Sequence, residues 1–309
     1  MPTWPTVKET CWAFGKTSRE TSNTPMRMRT HVINKPHYCP TCHHAFKGGF
    51  CYNCGEKSVD LNEHTVKKYL TDALDAFTHF DGKFFKTVKY LLVYPGRLTV
   101  EYFAGRRIQL MKPLQVYLLV TLLYFIFMKT FDFFYNHLEY VIAQPGFFSQ
   151  KARELAIDKA AVKGQSLEAF THGFDHAAQD NAKAFVFLLI PVLALFLFLL
   201  FYKNYRKFVP HVIFATHYFT FYLISWGLYT KLIAAPLMNH HQGWFYEHRE
   251  WLWGVIILMN AVYLVLALRR VYANNWTWTV VKGLIISQLL IYTGAVYKLF
   301  ITFFTLWTI

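Results

Sequence analysis

The chain has 309 residues, 54% of them apolar and 19% aromatic, and a formal charge of +14 at pH 7. A soluble domain fills its core with about 45–50% apolar residues, so composition disfavours a purely soluble protein and points to one that meets lipid. Nucleic-acid binding is the competing reading of the basic excess, but the cytoplasmic charge bias of membrane proteins accounts for the same residues without a further assumption.

Residues 1–36 are rich in Thr, Ser, Pro and basic side chains and lack the apolar run of a cleaved signal peptide; they are expected to be a disordered tail, with Met26 or Met28 as alternative starts. Next comes CPTCHHAFKGGFCYNC, residues 39–54, in which two Cys-x-x-Cys pairs are separated by a short turn-rich stretch. Each such turn aims two sulfurs at one point, and two turns on a hairpin supply the four-sulfur tetrahedron that suits zinc. Gly48 and Gly49 permit the chain reversal between them. Structural disulfides are disfavoured in a reducing compartment, and a thioredoxin-type redox pair needs a βαβ context that this stretch is too short to provide. Residues 37–58 are therefore read as a small cytoplasmic zinc ribbon holding a structural Zn²⁺ through Cys39, Cys42, Cys51 and Cys54. His43 and His44 are the nearest competing ligands. A shell of four thiolates leaves no open position for substrate water, so the ribbon's role is structural, or docking with a cytoplasmic protein partner.

Residues 59–113 read as amphipathic helices and a basic linker. Val66, Tyr69, Leu70, Ala73, Leu74 and Phe77 make one apolar stripe, and Phe84, Phe85, Val88, Leu91 and Leu92 repeat it. That gives two helices over residues 65–92, hinged near Asp81-Gly82 and ended by Pro95-Gly96. They either lie at the headgroup level of a membrane or pack on the bundle that follows. Arg97, Arg106, Arg107 and Lys112 then crowd the entry to the first apolar block, as anchoring charges or as contacts for a lipid phosphate. His79 and Asp81 are a candidate hinge pair that would bind those arginines.

From residue 114 to 309 five apolar blocks follow, 114–134, 184–202, 212–235, 251–268 and 280–309, each about the length of a membrane-crossing helix. More than half of the lysines and arginines precede residue 114, and the turns at 203–211 and 269–282 add more. Basic residues stay on the cytoplasmic side, so five spans place the N-terminus and both basic turns inside and the C-terminus outside. The segment 136–183 becomes an external loop, in which Glu168, His172 and His176 share a helical face that is more simply an exposed amphipathic helix than a metal site. Apart from Asp132 the blocks contain no carboxylate, which argues against proton-coupled transport. His217, Asn260 and Gln288 are the deep polar groups. They are candidate hydrogen-bonding contacts between helices, His217 and Gln288 at similar depth, or contacts along a polar pathway.

The strings CPTCHHAFKGGFCYNCGEK, FTHFDGKFFKTVKYLLVYPGR, EYFAGRR and FVPHVIFATHYFTF together resemble an uncharacterised bacterial family, domain of unknown function 3667. The resemblance implies an inner-membrane protein with a cytoplasmic zinc ribbon, a helix leading to Pro-Gly, a Tyr-x-x-Gly-x-Arg element and several spans, and it implies no known activity. His43 departs from the glycine that the family's first knuckle usually carries. The expected fold is thus an all-α membrane protein: zinc ribbon, interfacial helices, then about five transmembrane helices. The expected function is non-enzymatic, with the bundle handling lipid, taking part in transport or serving as a scaffold. The alternative is an enzyme acting on lipid headgroups at the arginine-rich mouth, which a cavity lined by His79, Asp81 and the arginines would favour over a packed, cavity-free end.

Overall fold

The computed structural model describes residues 37–57, 83–128, 134–240 and 242–309. The tail 1–36, the first amphipathic segment with Val66 and Phe77, the hinge pair His79 and Asp81, and Lys129 and Asp132 lie outside the described residues. The chain opens on a hairpin of two short antiparallel strands, β1 (His37–Tyr38) and β2 (Ala45–Phe46), with His37 opposite Phe46. Apart from an isolated bridge between Phe50 and Lys57, the regular elements that follow among the described residues are all helices.

Three short helices make a platform and an entry. Helix α1 (Lys83–Val93) ends at Pro95-Gly96, α2 (Arg97–Phe103) ends at Gly105, and α3 (Pro113–Phe127) starts on its proline. Gly96 has φ 74°, and a Cβ there would sit 2.7 Å from the Ala267 carbonyl oxygen, so only glycine allows both the turn and the close approach. Gly105 (φ 79°) closes α2 in the left-handed conformation, and the Arg106 amide reaches back to the Glu101 carbonyl at 3.0 Å. Helix α1 packs on the bundle rather than standing apart from it. Leu91 is buried while Phe85 is 74% exposed, and the seam takes Thr87 instead. The Thr87 hydroxyl donates to the Lys83 carbonyl and accepts from the Met111 amide at 3.0 Å, which satisfies the backbone entering α3.

A helical hairpin follows where a loop is expected over 136–183: α4 (Leu138–Ala143), α5 (Phe147–Val162) and α6 (Leu167–Phe185). Ala152, Ala156 and Ala160 on α5 and Phe170, Phe174, Ala178 and Ala182 on α6 are buried one turn apart, so small and large side chains interleave. A 3₁₀ turn carries α6 into α7 (Leu189–Phe201); then come α8 (Val209–Tyr229), a π turn, α9 (Ala235–His240), α10 (Gln242–Tyr272) and α11 (Trp276–Thr308). Helix α8 is buried on nearly every side and forms the axis around which α3, α7 and α10 pack.

Four stretches are long and apolar enough to cross a membrane: Leu167–Phe201, Val209–Asn239, Glu250–Tyr272 and Trp276–Thr308. The first expected span is shorter than read from sequence, since α3 has 15 residues, about 22 Å at 1.5 Å per residue against about 30 Å of hydrocarbon. Polar Lys129, Thr130 and Asp132 interrupt the apolar run just after it. Even so, Met128 and Tyr124 reach Gly227 near the far end of α8, within 3.3 and 3.6 Å of where its Cβ would be.

The three basic stretches meet at one end. The Asn204 side-chain Nδ2 donates to the Tyr272 carbonyl at 2.7 Å and to the Asn274 Oδ1 at 3.0 Å, tying the two later turns together. Arg270 donates to the Pro95 carbonyl at 2.6 Å, and the Tyr263 hydroxyl to the Leu91 carbonyl at 2.7 Å, tying the platform to them.

Candidate metal centre and the cleft beside it

The four cysteines come together as their spacing predicts. The Cys39 and Cys54 sulfurs are 3.4 Å apart, those of Cys42 and Cys51 3.5 Å, and all four lie within 4.8 Å of one another. Sulfurs at the corners of a tetrahedron around an ion 2.3 Å away stand about 3.8 Å apart, so this donor set fits one metal ion. Cys39 and Cys51 are fully buried. Among the described residues no other group of three or more His, Cys, Asp or Glu side chains converges in this way.

Two equivalent turns build the site. In the first, the His43 amide donates to the Cys39 carbonyl at 2.9 Å; in the second, the Gly55 amide donates to the Cys51 carbonyl at 2.7 Å. Each turn ends in a left-handed residue, Gly55 at φ 76° and His43 at φ 58°. The histidine therefore takes up the glycine's backbone conformation at a cost of about 1–2 kcal/mol, and its side chain, like that of His44, stays exposed. The thiols differ electrostatically. Hydrogen bonds from the Asn53 side chain and the His44 backbone hold Cys42 down to about 6. At Cys54 a backbone hydrogen bond at Glu56 acts downward, but burial and the neighbouring thiols push it up to about 12. At neutral pH the cluster thus mixes thiolate and thiol, and a bound metal would displace the remaining protons.

Glu56 is the residue that sequence reading missed. It is 3% exposed, and its Oε2 accepts hydrogen bonds from the Thr41 hydroxyl at 2.7 Å and from the backbone amides of Arg107 and Ile108 at 3.0 Å each. The carboxylate fastens the ribbon to the loop between α2 and α3, so the CGEK and EYFAGRR strings touch in space. The available signal was an acidic residue directly after the second knuckle, ahead of a basic region.

The four basic candidates divide. Arg97 and Arg106 converge on Glu101, Arg97 at 3.5 Å and Arg106 through a direct hydrogen bond. Arg107 turns away to stack on Tyr102, 4.3 Å from its ring centre, and Lys112 is half-buried at the start of α3. Between the ribbon and the bundle lies a cleft of about 320 Å³. Pro40, Thr41 and His43 form its ribbon wall, and Lys86, Arg97 and Arg106 face them across Glu101. Arg97 also lies over Tyr90 at 4.8 Å.

The deeper polar candidates separate too. His217 is buried and its Nδ1 pairs with the Thr99 hydroxyl at 2.8 Å, pinning α2 to α8. The Asn260 Oδ1 accepts from the Ser225 hydroxyl at 3.1 Å across α10 and α8. Gln288 is exposed on α11 and is not brought to His217. Glu168, His172 and His176 are exposed on α6.

Residues 81–125 match the model of a family described as "Protein of unknown function (DUF3667)". That segment spans α1, α2 and most of α3, including Arg97, Glu101, Arg106 and Arg107, and leaves out the ribbon and the later helices. No curated protein and no solved structure matches the chain.

Proposed function

We propose that this is a non-enzymatic protein of a bacterial inner membrane that grips the phosphate of an anionic lipid at its cytoplasmic end, with a structural zinc ribbon forming one wall of the grip. The 320 Å³ cleft carries this reading. Three cations, Lys86, Arg97 and Arg106, face it against one carboxylate, Glu101, and the guanidinium fork is the side chain that binds phosphate oxygens in pairs. Glu101 holds both forks in place before a ligand arrives. The gathering of the three basic turns at one end supports a cytoplasmic N-terminus and an external C-terminus. A reporter active only outside the cytoplasm and fused after Ile309 should then work, and activity from a fusion after Asn204 would reverse the orientation.

On the ribbon, Tyr38, Phe50 and Tyr52 are 75%, 64% and 71% exposed, an aromatic surface suited to a cytoplasmic protein partner. A second reading is favoured by Glu101 and His43, which put a carboxylate and an imidazole in the same cleft as the arginines: an enzyme acting on lipid headgroups. The test is lipid mass spectrometry on wild type and an Arg97→Lys/Arg106→Lys variant purified side by side. Binding predicts loss of co-purifying anionic lipid, about 1.5–3 kcal/mol per lost charged hydrogen bond. Unchanged lipid content would reduce the arginines to anchors, and conversion of added lipid by wild type alone would establish the enzyme.

A further inference from the structure

A second cavity, about 650 Å³, lies between α8, α10 and α11, toward the end of the bundle away from the basic turns. Tyr222 and Trp226, Ile256 and Ala261, and Leu290 and Gly294 represent its three walls. Space remains because α10 and α11 line it with Ala261, Gly294 and Ala295 opposite the aromatic side chains of α8, and a Cβ added to Gly294 would meet nothing within 4 Å. Well-packed interiors leave few voids larger than a water molecule, whereas ligand sites of this size are usually apolar with a few polar groups.

The position of the opening selects the occupant. Trp253, Ile257 and Ile291 line the cavity yet remain 39%, 43% and 47% exposed, so it opens sideways, onto the apolar flank of the bundle. A ligand entering there comes from hydrocarbon. Along α11 the cavity extends from Ser287 to Lys298, about 16 Å at 1.5 Å per residue, or roughly half the thickness of a hydrocarbon core. That is the depth of the chains of one leaflet. Lys298 supplies a cation at the end nearer the surface, where a headgroup would stand. The Ser287 hydroxyl, at the deep end, is buried without a hydrogen-bond partner, and a turn of its side chain onto the carbonyl one turn back would satisfy it beside an apolar occupant.

We infer that this cavity holds one hydrocarbon chain of an anionic membrane lipid, with its headgroup at Lys298. The site is separate from the basic cleft and does not depend on it.

The experiment uses full-length protein in phosphatidylcholine vesicles doped with phosphatidylglycerol carrying a photoreactive diazirine on its acyl chain. Peptides spanning 253–261 and 287–298 should take most of the label, and excess unlabelled phosphatidylglycerol should suppress it. Gly294→Phe fills the cavity and should cut labelling at least tenfold, while Val262→Phe, on the exposed side of α10, should leave it unchanged. Lys298→Gln should cost about tenfold for the anionic probe, the scale of one charged hydrogen bond, and little for a phosphatidylcholine probe. Label spread evenly over the outer helix faces, or not displaced by unlabelled lipid, would overturn the inference even if Gly294→Phe fails to fold. Equal labelling of a folded Gly294→Phe would do the same.

Discussion

The ribbon and the bundle are held together by opposite means. In the bundle one continuous apolar core runs from Leu91 to Leu306, so no single contact decides whether it forms. In the ribbon the buried apolar set is Phe46 with the cysteines themselves, far too little to offset the entropy of ordering the chain. The first is a structure of area and the second a structure of ligands; the same kind of lesion should therefore have very different reach in the two.

The largest contrast comes from removing the metal. On the zinc site proposed above, where structural zinc contributes about 10–16 kcal/mol to the folding of small ribbons near neutral pH, Cys51→Ser should lose the ion and unfold residues 37–57. Helical circular dichroism and the melting of the bundle should be unchanged. Metal analysis beside thermal melts reads both, and loss of helix together with the ion would show that the two regions fold as one. Acid should act like the mutation, because protons compete for the thiolates as pH falls.

Gly96→Val inverts the experiment, placing a branched side chain against the Ala267 backbone at a left-handed position. A cost above about 3 kcal/mol is expected, with melting of the bundle lowered in detergent and metal content kept. A wild-type melting temperature would mean that the platform is not seated on α10. A smaller effect tests the junction. Glu56→Gln keeps the shape but weakens three hydrogen bonds to a buried carboxylate, so the ribbon should undock by about 1–3 kcal/mol without losing its ion. Faster proteolytic release of the ribbon from the bundle, at constant metal content, is the expected signature. The smallest change is a gain: His43→Gly removes the left-handed strain and should raise ribbon stability by about 0.5–1 kcal/mol net of the added chain entropy, seen as slower zinc loss to a chelator.

What could be read from sequence divides along the same line. The cysteine cluster was legible because a Cys-x-x-Cys turn is a local object, complete within a few residues. The long apolar helices were legible because composition alone decides their environment. Glu56, Glu101 and Thr87 were not. Glu56 gets its role from amides 51 and 52 positions away, and Thr87 from Met111; neither spacing has a period that a pattern could reveal. In the apolar stripe of α1, Leu91 is buried and Phe84 and Leu92 pack against the core, but Phe85 is exposed and Thr87, bonded to the distant Met111 amide, is buried in its stead. His217 and Asn260 were legible as polar groups in apolar helices, but not their partners Thr99 and Ser225.

The tie between Arg270 and the Pro95 carbonyl, spanning 175 positions, also sets a clock on biosynthesis. A ribosome adding about 5–20 residues per second needs on the order of ten to thirty seconds to travel from one partner to the other. During that interval the ribbon, α1 and α2 are already made, while the helix that seats them does not yet exist. Both walls of the cleft, the ribbon and the α1–α2 platform, are therefore complete well before α10 arrives, and the platform must hold its shape without the helix that finally seats it.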